Sequence, residues 1–209
     1  MSFRSKKELL QILADLVQVH KKLTEKELLH RDINIKNLMM TCDGPNYRGL
    51  LIDFDYMAIM SELLKDTQAG TIPFMSADAL DGRKPHKPAD DLESFFYVLI
   101  FICLEYSGPG HERNWDHSRD IVWDIYKTRP NCWLLGDDFT SLAAAKSHTM
   151  AKAERFQEDV LDELPPYFKE LSPCLMSLWR ALFRSDEAIT HNIFTAVSRG
   201  QQQQHAAAS

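Results

Sequence analysis

The sequence predicts a mainly α-helical fold with a small β-hairpin region, and three stretches carry that expectation. From Lys7 to Leu23 the apolar residues Leu9, Leu10, Ile12, Leu13, Leu16, Val17 and Leu23 recur at helical spacing, which makes one wide apolar face. Leu92 to Tyr106 is almost continuously apolar, and at that length it reads as a buried helix rather than a strand. Two short apolar runs, Leu38 to Thr41 and Gly49 to Ile52, flank Asp43-Gly44-Pro45-Asn46, which is hairpin-turn chemistry.

The remaining elements follow in order. Residues 56 to 88 lack periodicity and hold Gly70, Pro73, Gly82, Pro85 and Pro88, so they are expected to form an extended loop with at most a short helix. A loop of that length inside a compact domain usually has a task. Downstream, Trp115 to Lys127, Ala151 to Leu164, Pro173 to Arg184 and Asn192 to Arg199 read as helices, with boundaries at Pro165-Pro166 and Ser172-Pro173. The expected organisation is one domain over residues 1–200, followed by a low-complexity, disordered tail over 201–209.

Bulk properties narrow the function. With 209 residues, 44% hydrophobic and 26% charged, the chain is long enough to bury a core. A formal net charge of -6 argues against a nucleic acid or an anionic membrane surface as partner, since both favour a basic face. Cys42, Cys103, Cys132 and Cys174 are scattered and form no C-x-x-C pair, so neither a zinc site nor a disulfide framework is indicated. An intracellular setting, cytoplasmic or nuclear, is the expectation. Arg4, Lys6 and Lys7 precede an apolar run, but Asp15 and Gln18 interrupt it and no cleavage site follows.

The chemistry sits in His30-Arg31-Asp32-Ile33-Asn34-Ile35-Lys36-Asn37 and, further on, Asp53-Phe54-Asp55. These strings resemble the H-R-D-L-x-x-x-N catalytic loop and the D-F-G metal loop of protein kinases, in the same order. Gly70-Thr71-Ile72-Pro73-Phe74-Met75-Ser76-Ala77-Asp78 resembles the end of an activation segment, and Asp90-Asp91-Leu92-Glu93-Ser94 resembles the opening of the long central kinase helix. One such string alone is weak; four in register are specific. Together they are most similar to the fungal-type protein kinase family, over about residues 8–106.

The resemblance implies a protein-kinase-like C-terminal lobe that lacks the N-terminal β lobe, with an activation segment at about 53–78. Residues before His30 carry no Gly-rich phosphate loop and no V-A-I-K lysine. The implied function is ATP-dependent phosphoryl transfer to protein Ser/Thr hydroxyls, weak or inactive in this chain alone. Mg2+ and ATP are the implied cofactors, and a protein substrate or a complementary kinase lobe the implied partner.

Residue by residue, the resemblance makes Asp32 the carboxylate that orients the hydroxyl and takes its proton. Asn37 and Asp53 become the magnesium ligands. Asn34 stands where Ser/Thr kinases carry a lysine, while Lys36 stands where tyrosine kinases often place an arginine that reaches the same phosphate. Met39 falls at the floor of the adenine pocket, although a lone Met in an apolar strand is more often plain core.

The supporting positions follow in the same way. His30 is expected to pack on Phe54 rather than act as a base, and Arg31 to meet a phosphorylated loop residue, Thr67 or Ser61. Thr71 would hydrogen-bond Asp32, and Asp91 would accept hydrogen bonds from the catalytic-loop backbone. Asp78 replaces a glutamate that pairs with a late arginine, here Arg184 or His191. Asp55 replaces a glycine, and its carboxylate either turns to a backbone donor or joins the metal ligands.

Two other functional classes fit parts of this pattern. One is a non-catalytic, kinase-derived interaction module. The other is a small-molecule phosphotransferase, whose H-x-D-x-x-x-x-N and I-D-x-x-D patterns Asp32, Asn37, Asp53 and Asp55 imitate; Arg31 and the Gly70–Met75 segment argue against it.

Overall fold

The structure, a computed structural model, describes residues 3–43, 46–63, 69–113, 139–184 and 196. Helix α1 (Lys6–Thr24) begins at Ser5, whose side chain accepts a hydrogen bond from the Glu8 amide and so satisfies one orphan donor of the first turn. Its periodic residues Leu9, Ile12, Leu13, Leu16 and Val17 are all buried, as the spacing predicts.

Strands β2 (Leu38–Asp43) and β3 (Asn46–Leu51) pair antiparallel with Leu38 opposite Leu51 and Met40 opposite Gly49, so each runs two or three residues past its predicted apolar run. Residues 44 and 45 of the predicted turn lie outside the described part. The hairpin rests directly on α1, because Gly49 has no side chain. A Cβ there would lie 2.6 Å from the Ile12 carbonyl and 2.7 Å from Leu16 Cγ. Gly49→Ala is therefore expected to cost about 1–3 kcal/mol by overpacking. The measurement is the urea midpoint, which should fall without a change of slope.

Helix α3 (Pro88–Glu105) is the centre of the core: Leu92, Phe95, Phe96, Tyr97, Val98, Leu99, Ile100, Ile102, Cys103 and Leu104 are all buried. It starts four residues before the predicted Leu92. Pro88 occupies the first turn, where a missing N–H costs nothing, and the Asp90 carboxylate accepts from the Lys87 amide at 2.8 Å.

Against α3 pack α4 (Phe139–Met150), α5 (Ala153–Phe156, continuing as a π turn over Gln157–Leu161) and α6 (Ser172–Phe183). Phe156 stacks on Trp179 at 5.9 Å and meets Phe96 at 5.8 Å, so α3, α5 and α6 share one aromatic cluster. Cys103 and Cys174 are buried free thiols, and burial pushes both thiol pKa values up.

Residues 56–88 hold more structure than their composition predicts. They contain β4 (Ala58–Ile59), single 3-10 turns at Met60–Glu62 and Ile72–Phe74, and α2 (Ala77–Asp81), which Ser76 caps and Gly82 ends in the left-handed conformation. Strand β4 pairs with β1 (Leu28–Leu29), and a last hairpin joins β5 (Tyr106–Gly108) to β6 (His111–Glu112). The β1–β4 pair matters most for function. It ties the chain just before His30 to the chain just after Asp55, so both loops hang from one anchor.

The fold is thus mainly α-helical with small antiparallel β pairs. The helix expected at Trp115 to Lys127, the tail from Gln201, and all of the Asn192 to Arg199 helix except residue 196 lie outside the described residues. Among the described residues, no helix is long and apolar enough to cross a membrane.

Candidate active site

The 30–37 loop is built around two fully buried side chains, His30 and Asp91. His30 is buried, its Nε2 donates to the Ile52 carbonyl at 3.0 Å, and its Nδ1 accepts from the Asp32 amide at 3.3 Å. Burial lowers its pKa, which keeps the ring neutral with one donor and one acceptor. Its ring meets Phe54 at 5.0 Å. Both nitrogens bond the backbone, so the His30 ring joins the two loops.

Asp91 secures the loop from below. This fully buried carboxylate accepts from the amides of His30 at 3.1 Å and Arg31 at 3.2 Å, and from His20 Nε2 and His86 Nε2, each at 2.9 Å. Burial alone would raise its pKa. The bonds and charges of His20 and His86 outweigh that and hold it well below the usual carboxylate range. The backbone bonds match the expectation for Asp91. The two histidines, 71 residues before and 5 before it in sequence, carried no signal that sequence reasoning used.

At the tip, Asp32 and Asn37 meet. Asn37 Nδ2 donates to Asp32 Oδ2 at 2.9 Å and to the Asp32 carbonyl at 3.0 Å. From the other side, the Thr71 amide and hydroxyl both donate to Asp32 Oδ1 at 2.7 Å. An ionised carboxylate offers about four acceptor positions, so these three donors leave one free on Oδ2. Asn34, which stands where a lysine is expected, completes the loop: its Nδ2 donates to Thr71 Oγ1 at 2.9 Å, and its Oδ1 accepts from the Lys36 amide at 2.8 Å and the Asn37 amide at 3.2 Å.

The 53–55 loop lies alongside. The Ile52 amide donates to the Asn37 carbonyl at 3.0 Å, which brings Asp53 next to the Asn37 backbone. Asp53 is exposed and left-handed, with φ 63°, and Arg31 is left-handed with φ 69°. Each such residue costs about 1–2 kcal/mol, a strain that clusters at functional loops. Asp55 is not left-handed, so replacing a glycine there stores no strain. Its amide approaches Asp53 Oδ1 at 3.5 Å.

Close approach also decides Gly70. Its φ is 123°, and a Cβ there would lie 2.6 Å from the Arg31 carbonyl, so the 70–76 segment can reach Asp32 only with glycine at this position. Lys36 is exposed beside Asn37, and Ser61 is exposed as well. Met39 is 46% exposed and so is not core; with Leu50, Phe54, Tyr56, Met57 and Ile59 it belongs to a set of exposed large apolar side chains near the two loops. Thr67 lies outside the described residues.

Asp78 requires a correction. It pairs with Lys87 at 2.9 Å and Lys84 at 3.3 Å, with Lys87 the larger influence in lowering its pKa. Arg184 instead donates to the carbonyls of Met150, at 2.9 Å, and Ala151, and its guanidinium lies over the Trp179 ring. His191 lies outside the described residues.

Two oxygen donors of these loops, Asn37 Oδ1 and the Asp53 carboxylate, carry no hydrogen bond to Asp32. Asn37 directs its amide nitrogen to Asp32, which leaves Oδ1 for a ligand, and Asp53 adds an exposed carboxylate. Magnesium is typically held by one or two carboxylates together with substrate phosphates and water. Among the described residues there is no cluster of three or more His, Cys, Asp or Glu side chains that could hold a metal ion.

Comparison with known proteins agrees at the level of family. The family described as fungal protein kinase matches residues 1–103. The dual serine/threonine and tyrosine protein kinase of Apis mellifera is 22% identical over 120 residues, covering 57% of this chain and 12% of that protein. The chain therefore spans a small part of the curated relative it matches. The chain bears a distant resemblance to a fungal-type protein kinase domain.

Proposed function

We propose that this chain is the C-terminal lobe of a fungal-type protein kinase, transferring the terminal phosphoryl group of Mg-ATP to a Ser or Thr hydroxyl of a protein. The observation that carries the reading is the double hold of Thr71 on Asp32 Oδ1 with Asn37 on Oδ2. It fixes the carboxylate plane and leaves an acceptor position for a hydroxyl proton. Phosphoryl transfer asks for little more than such positioning and charge neutralisation.

Each residue then has a task. Asp32 aims the hydroxyl and accepts its proton at Oδ2. Lys36 offers an ammonium to the transferring phosphate. Asn37 Oδ1 and the Asp53 carboxylate hold magnesium, which when bound neutralises charge spreading over the phosphate oxygens. Met39 floors the adenine, and Arg31 receives a phosphorylated loop residue. The exposure of Asp53, Phe54 and Met39 leaves the site open to water on one side. Preorganised charges are worth less there, so transfer by the chain alone is weak.

Calorimetry with Mg-ATP, combined with label transfer to a basic protein, tests this. Weak metal-dependent nucleotide binding is expected, and Asp53→Ala should abolish it while the thermal transition stays intact. A folded chain that shows no nucleotide binding and no transfer would remove the kinase reading.

One observation favours a second reading, an interaction module that has kept the fold and not the chemistry. The exposed side chains Met39, Leu50, Phe54, Tyr56, Met57 and Ile59 form the kind of surface that partners cover. A complementary kinase lobe is the partner this reading names. A folded chain that binds such a lobe yet neither nucleotide nor label would favour it.

A further inference from the structure

The contact between Thr71 and Asp32 requires the 71–76 segment to be held from behind. The 3-10 turn there uses the carbonyls of Thr71 and Ile72 for the Phe74 and Met75 amides. The next acceptors, Pro73 O and Met75 O, both receive the ammonium of Lys146, the former at 2.8 Å. Lys146 comes from α4, more than seventy residues away, and is fully buried.

A buried ammonium is costly without close partners. Burial lowers the Lys146 pKa to about 7, against the opposing pull of the Glu93 charge, and besides the two carbonyls Nζ lies 4.0 Å above the Tyr97 ring. Glu93 in turn accepts from the Ala77 amide at 3.4 Å and from the Tyr97 hydroxyl. The cluster thus joins α4, the start of α2 and the first turns of α3 at the back of the segment. The surface ion pairs of Asp78 offer no comparable hold, since exposed pairs contribute little.

We propose that Lys146 is a positioning residue: by binding the Pro73 and Met75 carbonyls it sets the segment so that Thr71 reaches Asp32. Its consequence for catalysis rests on the kinase reading above, whereas its structural content does not.

Hydrogen exchange on the full chain separates the two, because it needs neither nucleotide nor transfer. Lys146→Met keeps the apolar stem and removes the donors. Amides of residues 70–77 should then exchange at least about tenfold faster, with α1 and the second half of α3 unchanged. Lys146→Arg, which keeps charge and donors, should restore most of the protection. Unchanged exchange at 70–77, equal exchange in both variants, or uniform acceleration across α1 and α3 would overturn the proposal. Should the Met variant not fold, exchange of the unsubstituted chain in rising denaturant decides. Residues 72–77 must lose protection together with α4; protection that outlasts α4 contradicts the assignment.

Discussion

Asp91→Ala is expected to lower stability by about 3–5 kcal/mol, the usual cost of breaking a fully buried charged network by deleting one partner. Four donors converge on this carboxylate: two backbone amides of the 30–37 loop and two imidazoles. Alanine leaves all four without this acceptor at a fully buried position. For a domain of this size, that corresponds to a fall in thermal midpoint of about 6–20 °C.

The pH dependence carries a second signature of the same residue. The folded Asp91 carboxyl sits well below its ordinary value, held there against burial by His20 and His86. The unfolded chain therefore binds its proton first as pH falls. The stabilisation is complete above about pH 4, the unfolded carboxyl value, and is lost progressively as pH drops through that value toward the folded one. Denaturant midpoints measured from pH 6 to pH 2 should fall more steeply for the unsubstituted chain than for Asp91→Ala. Parallel curves would show that Asp91 does not hold its proton as its partners require.

Asp32→Asn is expected to reduce whatever label transfer the chain supports by about 10²–10⁴-fold, the usual contribution of a positioned general base. The substitution keeps size and shape, so the fold should survive. Its cost to stability should be about 1–2 kcal/mol, because one amide group would face the Thr71 or Asn37 donors that now bind a carboxylate. Comparing transfer rate with thermal midpoint separates the two effects. Full transfer with Asn at position 32 would remove Asp32 from the chemistry.

Much of this arrangement was legible because its parts are local in sequence or fixed by motif spacing. The periodicity of α1 and the apolar run of α3 are direct images of burial. Asp32, Asn37 and Thr71 stood at motif positions whose mutual bonds the structure contains, and Asp91 at one whose bond from the His30 amide it contains. What escaped was long-range or unpatterned. Helix α4 has an alanine-rich middle, Leu142-Ala143-Ala144-Ala145, with no apolar stripe to announce it. Its buried Lys146 looks like any surface lysine until the Pro73 and Met75 carbonyls arrive from elsewhere in the chain. The start of α3 was missed because a proline inside the first turn reads as a loop unless its position is known.

The proposal that Asp32, Asn37 and Asp53 share one cation site is tested most directly by adding Mn2+-ATP to the isotope-labelled chain and following paramagnetic broadening of its amide signals. Selective loss of signals from residues 32–37 and 52–55, abolished in Asp53→Ala, is the expected result. Broadening spread over the acidic surface at large, or unchanged by removal of the Asp53 carboxylate, would contradict a common cation site in these two loops.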